Sequence, residues 1–184
     1  MTVTRRDFVT ATGAFVAGAT FARLSYAAHL PARSGWSLPA KRPFCVIENE
    51  WIPLSDGTRL GVRLWIPQGA EQQPVPVVWE YLPYRKRDGV RKRDDATAQN
   101  LAPHGIAFAR VDIRGTGDSG GVMTDEYAPP ELNDGVECIA WLARQPWSNG
   151  SVGMRGISWG GINSLRGRQD RRHVQTPMDA EPFR

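Results

Sequence analysis

Gly156-Ile157-Ser158-Trp159-Gly160 is the stretch on which the reading of this chain turns. A glycine–x–serine–x–glycine run between a strand and a helix places its serine on a sharp turn, with a strained backbone. A side chain on either flanking glycine would collide with the adjacent strand and helix. The flanks agree with that geometry. Ser151 to Gly156 reads as a short buried strand, and Gly160-Gly161-Ile162-Asn163-Ser164-Leu165 opens a helix.

Working upstream, strand and helix signals alternate. Phe44 to Trp51 reads as a strand, and Ser55-Asp56-Gly57 as a turn. Leu60, Val62, Leu64 and Ile66 then alternate with Arg59, Gly61, Arg63 and Trp65. Period-two alternation beside an Asp-Gly turn predicts an antiparallel hairpin with one wet face. Val75 to Tyr81 and Ile106 to Asp112 are apolar runs of the kind buried on both faces of a parallel sheet. A helix is expected from Asp94 to Ala102. A second, amphipathic one is expected from Pro130 to Arg144, where Leu132, Val136, Ile139 and Ala143 recur at helical spacing. The fold class is therefore α/β: a leading antiparallel hairpin, then a mostly parallel sheet with flanking helices.

Bulk properties set the frame. The chain has 184 residues, 41% of them apolar, and a net charge of +4. That is one domain's length with enough apolar material for a core. The basic cluster Arg85-Lys86-Arg87 and Arg91-Lys92-Arg93 is interleaved with Asp88, Asp94 and Asp95. It reads as a solvated loop or first helical turn, and without stacking aromatics it predicts no nucleic-acid partner. Cys45 and Cys138 each fall in an apolar pattern and are expected as buried free thiols. Paired Cys or His spacings are missing, so neither a metal nor a cofactor is predicted.

Thr4-Arg5-Arg6-Asp7-Phe8-Val9 fits the twin-arginine export pattern. The mildly apolar stretch from Phe8 to Leu24 follows, and Ser25-Tyr26-Ala27 offers a cleavage site. Gly13 and Gly18 count against an amphipathic helix, and Arg23 interrupts any membrane span. The expected organisation is a signal peptide over 1–27, a linker over 28–43, a catalytic domain over 44–165 and an aberrant tail over 166–184. The product is expected in the periplasm or secreted, meeting the membrane only through the export machinery.

Five motifs in order then make the chain resemble a known family. They are Asp56-Gly57-Thr58-Arg59-Leu60, Leu82-Pro83-Tyr84-Arg85-Lys86, Asp112 through Gly120, Gln145-Pro146-Trp147-Ser148-Asn149-Gly150 and Gly156 through Gly161. Together they are similar to the N-terminal half of the catalytic domain of the X-prolyl dipeptidyl-peptidase and cocaine-esterase family of α/β-hydrolases. The resemblance implies a serine hydrolase of ester or amide bonds, acting on a small-molecule ester or peptide through a Ser158 acyl-enzyme. A serine hydroxyl needs a base to become nucleophilic, and the tetrahedral intermediate needs donors for its oxyanion. The backbone N–H of Trp159 is one expected donor. By resemblance the Tyr84 hydroxyl is the other, the alternative being an ordinary strand-end aromatic.

Gly117-Asp118-Ser119-Gly120-Gly121 also resembles the nucleophile loop of trypsin-like proteases, with Tyr26-Ala27-Ala28-His29 as a faint histidine motif. Alternating helix and strand contradict two β-barrels. Ser119 is read instead as part of a Gly-rich loop that Asp112, Arg114 and Asp118 tie to the sheet. The triad acid and histidine normally follow the serine in that order. Here the nineteen residues from Arg166 to Arg184 hold five Arg and three acids, the character of a frame shift and early stop. His173, with Asp170 or Asp179, is the local candidate, but a continuing helix would carry it about 22 Å from Ser158. No catalytic His or Asp is therefore assigned. The expectation is a fragment lacking its acid and base; the alternative is a non-catalytic remnant or binding protein that keeps half the fold.

Overall fold

The computed structural model describes residues 37–170, so the expected signal peptide, most of the expected linker and most of the expected tail lie outside the described residues. The hairpin consists of β1 (Phe44–Pro53) and β2 (Arg59–Pro67), paired antiparallel. Gly57 at φ +83 closes the turn, and Asp56 Oδ1 accepts the Thr58 N–H at 2.9 Å. Then come β3 (Val75–Leu82), α1 (Arg91–Leu101) with a 3-10 turn over Ala102–His104, and β4 (Ala107–Asp112). The described part ends with α2 (Pro129–Ala143), β5 (Ser148–Met154) and α3 (Trp159–Asp170).

The sheet order is β1-β2-β4-β3-β5. β4 runs antiparallel to β2 and parallel to β3, and β5 runs parallel to β3. Strand period two sorts the side chains onto two faces. Leu60, Val62 and Leu64 of β2, Val77, Trp79 and Tyr81 of β3, and Ala107, Ala109 and Val111 of β4 form the main core. Cys138, Ile139 and Leu142 of α2 and Trp159 of α3 cover it. On the other face Trp65 and Phe108 pack under Ala98 and Ala102.

That second face corrects the expectation of a wet face on β2. Arg63 and Trp65 are 3% and 2% exposed. β2 is flanked by β1 and β4, and its outer face lies against the α1 side of the sheet. Arg63 stacks 4.3 Å from the Trp65 ring and pairs with Asp95 and Glu48. The wet face belongs to β1 instead. Cys45 is exposed there, against the expectation of a buried thiol, because β1 is an edge strand; Cys138 is buried and free. β5 was expected to be buried, but it is partly exposed along its length, being the other edge among the described residues. The helix expected at Gly160 to Leu165 starts at Trp159 and continues to Asp170.

Under α1 lies a buried ion network. Arg110 and Arg93 both bond Glu80 Oε2, Arg155 pairs with Glu80 Oε1 at 3.1 Å, and Arg110 Nε lies 3.4 Å from Asp94 Oδ2. Burial, reinforced by the Glu80 charge, lifts the Asp94 carboxyl to about 6, although Arg110 and Arg93 pull it down. Because its folded value exceeds its unfolded one, Asp94 stabilises the fold most below about pH 4. That contribution disappears as pH rises through about 6. Relative to Asp94→Asn, the unsubstituted chain should lose on the order of 2 kcal/mol between pH 4 and 6. Urea melts of both proteins across that range check this; parallel pH curves would show that Asp94 titrates normally.

Candidate active site

Ser158 stands at the apex of the elbow that joins β5 to α3, with its backbone at φ +56. A Cβ on Gly156 would sit 2.2 Å from the carbonyl carbon of Gly160, and one on Gly160 would sit 2.3 Å from Leu82 Cδ2. The turn is thus pinched between its own two ends and the end of β3: at Gly156 only hydrogen fits, and a side chain at Gly160 would have to displace the buried Leu82 methyl. Ser158 is exposed at the C-terminal edge of the parallel strands, where α/β sheets bind ligands. The Trp159 N–H opens α3 and has no partner within the helix. It lies at the positive end of the helix dipole, suited to a developing oxyanion.

Tyr84 lies in the loop after β3, 43% exposed, at the same edge of the sheet. Its neighbour Arg85 takes φ +52, and Lys86 then turns inward. Lys86 was expected in a solvated cluster but is fully buried. Its backbone N–H donates to Asp112 Oδ1 at 2.7 Å, and its ammonium lies 3.5 Å from Asp112 Oδ2 and bonds Asp118. Burial raises the Asp112 carboxyl, while the N–H groups of Asp118 and Lys86 and the Lys86 charge hold it down. The loop that carries Tyr84 is therefore clamped to the end of β4.

The Gly-rich loop after β4 is held as expected. Asp112 Oδ2 accepts the Asp118 N–H at 3.1 Å, and a Cβ on Gly117 would fall 2.1 Å from that oxygen. Ser119 Oγ donates to the Asp112 carbonyl at 2.7 Å and accepts the Gly61 N–H at 2.9 Å. Both roles are structural, so this serine is no nucleophile. Arg114 grips Asp134 of α2 through two bonds of 2.8 and 2.7 Å and reaches Asp56 and Thr58 of the hairpin turn.

Beneath the elbow, Tyr127 at φ +56 stacks on Trp159 with ring centroids 4.8 Å apart. Desolvation raises the Tyr127 phenol, as do the neighbouring Glu126, Glu131 and Tyr84. Tyr127 thus stacks on Trp159, the residue after Ser158, and lies within electrostatic reach of Tyr84. Lys86, Tyr127, Glu131 and Asn163 were not singled out from the sequence. The charge or amide groups of Lys86, Glu131 and Asn163 look like surface residues until the fold buries them.

Among the described residues no histidine stands beside Ser158. His104, 3.0 Å from the Pro39 carbonyl, precedes β4 and so lies at the opposite edge of the sheet, roughly 16 Å away along that strand. His29, His173, Asp179 and the side chain of Asp170 lie outside the described residues.

The sequence profile of the X-Pro dipeptidyl-peptidase (S15) family matches residues 56–178. A putative serine esterase of Mycobacterium bovis is 27% identical over 130 residues, covering 62% of this chain and 21% of that protein. The cocaine esterase of a Rhodococcus species is 32% identical over 122 residues, covering 65% and 20%. The chain thus spans about a fifth of the length of these curated relatives. A CocE/NonD family hydrolase from Staphylococcus aureus superimposes with a TM-score of 0.59 at 22% identity, over 67% of this chain and 25% of that one. An α-amino acid ester hydrolase does so at 0.53 and 22%, over 75% and 25%. These likenesses establish the α/β-hydrolase fold.

The Lys86 clamp generates a prediction. Lys86→Met leaves the buried Asp112 carboxylate without its cation and should destabilise the fold by about 3 kcal/mol. A urea midpoint unchanged from the parent would show that the clamp contributes nothing.

Proposed function

Because the chain belongs to the X-Pro dipeptidyl-peptidase (S15) family of serine hydrolases, we propose that it carries the nucleophile and oxyanion half of a site for small ester or amide substrates. The observation that supports this best is the Ser158 backbone at φ +56, pinned by the close backbone approach of Gly156 to Gly160. Strain of this kind, roughly 1–3 kcal/mol, persists where the surroundings over-determine it, and it clusters at active sites.

In the proposed reaction Ser158 Oγ attacks the substrate carbonyl carbon while a general base takes the hydroxyl proton. The oxyanion is held by the Trp159 N–H and the Tyr84 hydroxyl. Collapse expels the alcohol or amine, which takes up the proton, and leaves an acyl-Ser158 that water then hydrolyses. Tyr84 suits the role because the Lys86 clamp fixes its loop at the sheet edge beside Tyr127. The base and its carboxylate are proposed to come from outside residues 37–170. The second reading, a remnant or binding protein, draws on the lack of a histidine near Ser158 among the described residues.

A fluorophosphonate probe separates the two. Labelling of the folded chain that disappears in Ser158→Ala and slows about a hundredfold in Tyr84→Phe supports the hydrolase reading. An unlabelled chain favours the remnant. Repeated turnover of an ester by the 184-residue chain, abolished in Ser158→Ala, would show that the base and acid are already within it.

We further propose that residues 1–27 act as a twin-arginine signal and that the product works in the periplasm or is secreted. The support is the Arg5-Arg6 pair, the mildly apolar run after it and the Ser25-Tyr26-Ala27 site. Exchange of both arginines for lysine should retain the product in the cytoplasm on fractionation. Unchanged export would remove that reading.

A further inference from the structure

Glu131 is the third residue of α2, 5% exposed, and its carboxylate meets three donors. Oε1 accepts the Trp159 indole N–H at 2.7 Å and an Asn163 Nδ2–H at 2.7 Å. Oε2 accepts the Tyr127 backbone N–H at 2.8 Å. The geometry points to Glu131 as a positioning residue for the oxyanion site, an inference that rests on the serine-hydrolase reading of Ser158.

The argument begins with the charge. Glu131 lies in the first turn of α2, where the unpaired N–H groups and the helix dipole favour a carboxylate. It reaches back to the chain just before its own helix, much as the glutamate of a capping box does. There it fixes Tyr127, whose positive φ needs such restraint and whose ring lies against Trp159.

The same carboxylate holds two residues of α3. Trp159 directly follows the nucleophile, and its own N–H is the expected oxyanion donor. Asn163, one turn on, also donates to the Tyr81 carbonyl at the end of β3. Glu131 therefore bolts the start of α3 to α2, and Asn163, which it holds, ties α3 to β3. Gly156 and Gly160 permit the turn sterically; the carboxylate fixes where α3 and the Trp159 N–H sit within it. Glu131 touches no reacting atom and acts through Trp159.

The test uses the 184-residue chain with Glu131→Gln, Trp159→Phe and the two combined. Glutamine keeps the volume but turns an amide N–H toward at least one of the three donors. Two quantities are read: the backbone amide shifts of Ser158 and Trp159 in ¹⁵N spectra, and the rate of fluorophosphonate labelling per folded molecule. Glu131→Gln should move both amides and slow labelling about ten- to a hundredfold. Trp159→Phe should slow it as well, and the double variant should be no slower than the slower single one. Unmoved amides in Glu131→Gln, or single effects that multiply in the double variant, would overturn the assignment. If the parent chain takes no label, the hydrolase reading fails while the amide shifts still decide whether Glu131 sets the turn. Should Glu131→Gln not fold, Glu131→Asp, which withdraws the charge by one methylene, replaces it in both readouts with the same expectations.

Discussion

The close approach of Gly156 to Gly160, and of Gly160 to Leu82, organises everything else at this edge of the sheet. With hydrogens at both positions the chain reverses from β5 into α3 within four residues, and Ser158 takes positive φ at the apex. A Cβ at Gly156 would meet backbone, which has no rotamer through which to yield. The serine is therefore presented outward, and the N-terminus of α3 is brought up behind it.

Buried charge then supplies what apolar packing does not. Three carboxylates each gather groups from distant segments: Asp112 binds the Tyr84 loop and the Gly-rich loop, Asp134 holds Arg114, and Glu131 joins α2 to α3. Each acceptor has geometric demands that a hydrophobic contact lacks, so loops are held in one register. The ion network under α1 is a different matter. Arg110 and Glu80 occupy positions on β4 and β3 whose opposite face is the main core, and desolvation there is met by pairing.

Much of the fold was legible in the sequence. Period-two alternation around Asp56-Gly57 gave away the hairpin, and the apolar runs of β3 and β4 read as central parallel strands. The 3.6-residue period placed α2 to within a residue. The elbow could be located because its glycines are demanded locally, within five residues. What could not be read was which side chains the fold would bury. Arg63, Lys86 and Glu131 rank as surface residues on any linear scale of polarity and Cys45 as a core one; the first three are enclosed and the last is open to solvent. Neighbouring strands and helices decide that, and they come from elsewhere in the chain.

Local sterics and repeating patterns act over a handful of residues, and so the amino-acid order alone determined the turn at Ser158, the type of each element and the class of chemistry that the motifs suggest. Only the tertiary structure decided that Lys86 anchors the Tyr84 loop to β4 and that Glu131 anchors the start of α3. A carboxylate or ammonium becomes an anchor when its partners, tens of residues away, are brought within about 3 Å and water is excluded from around it.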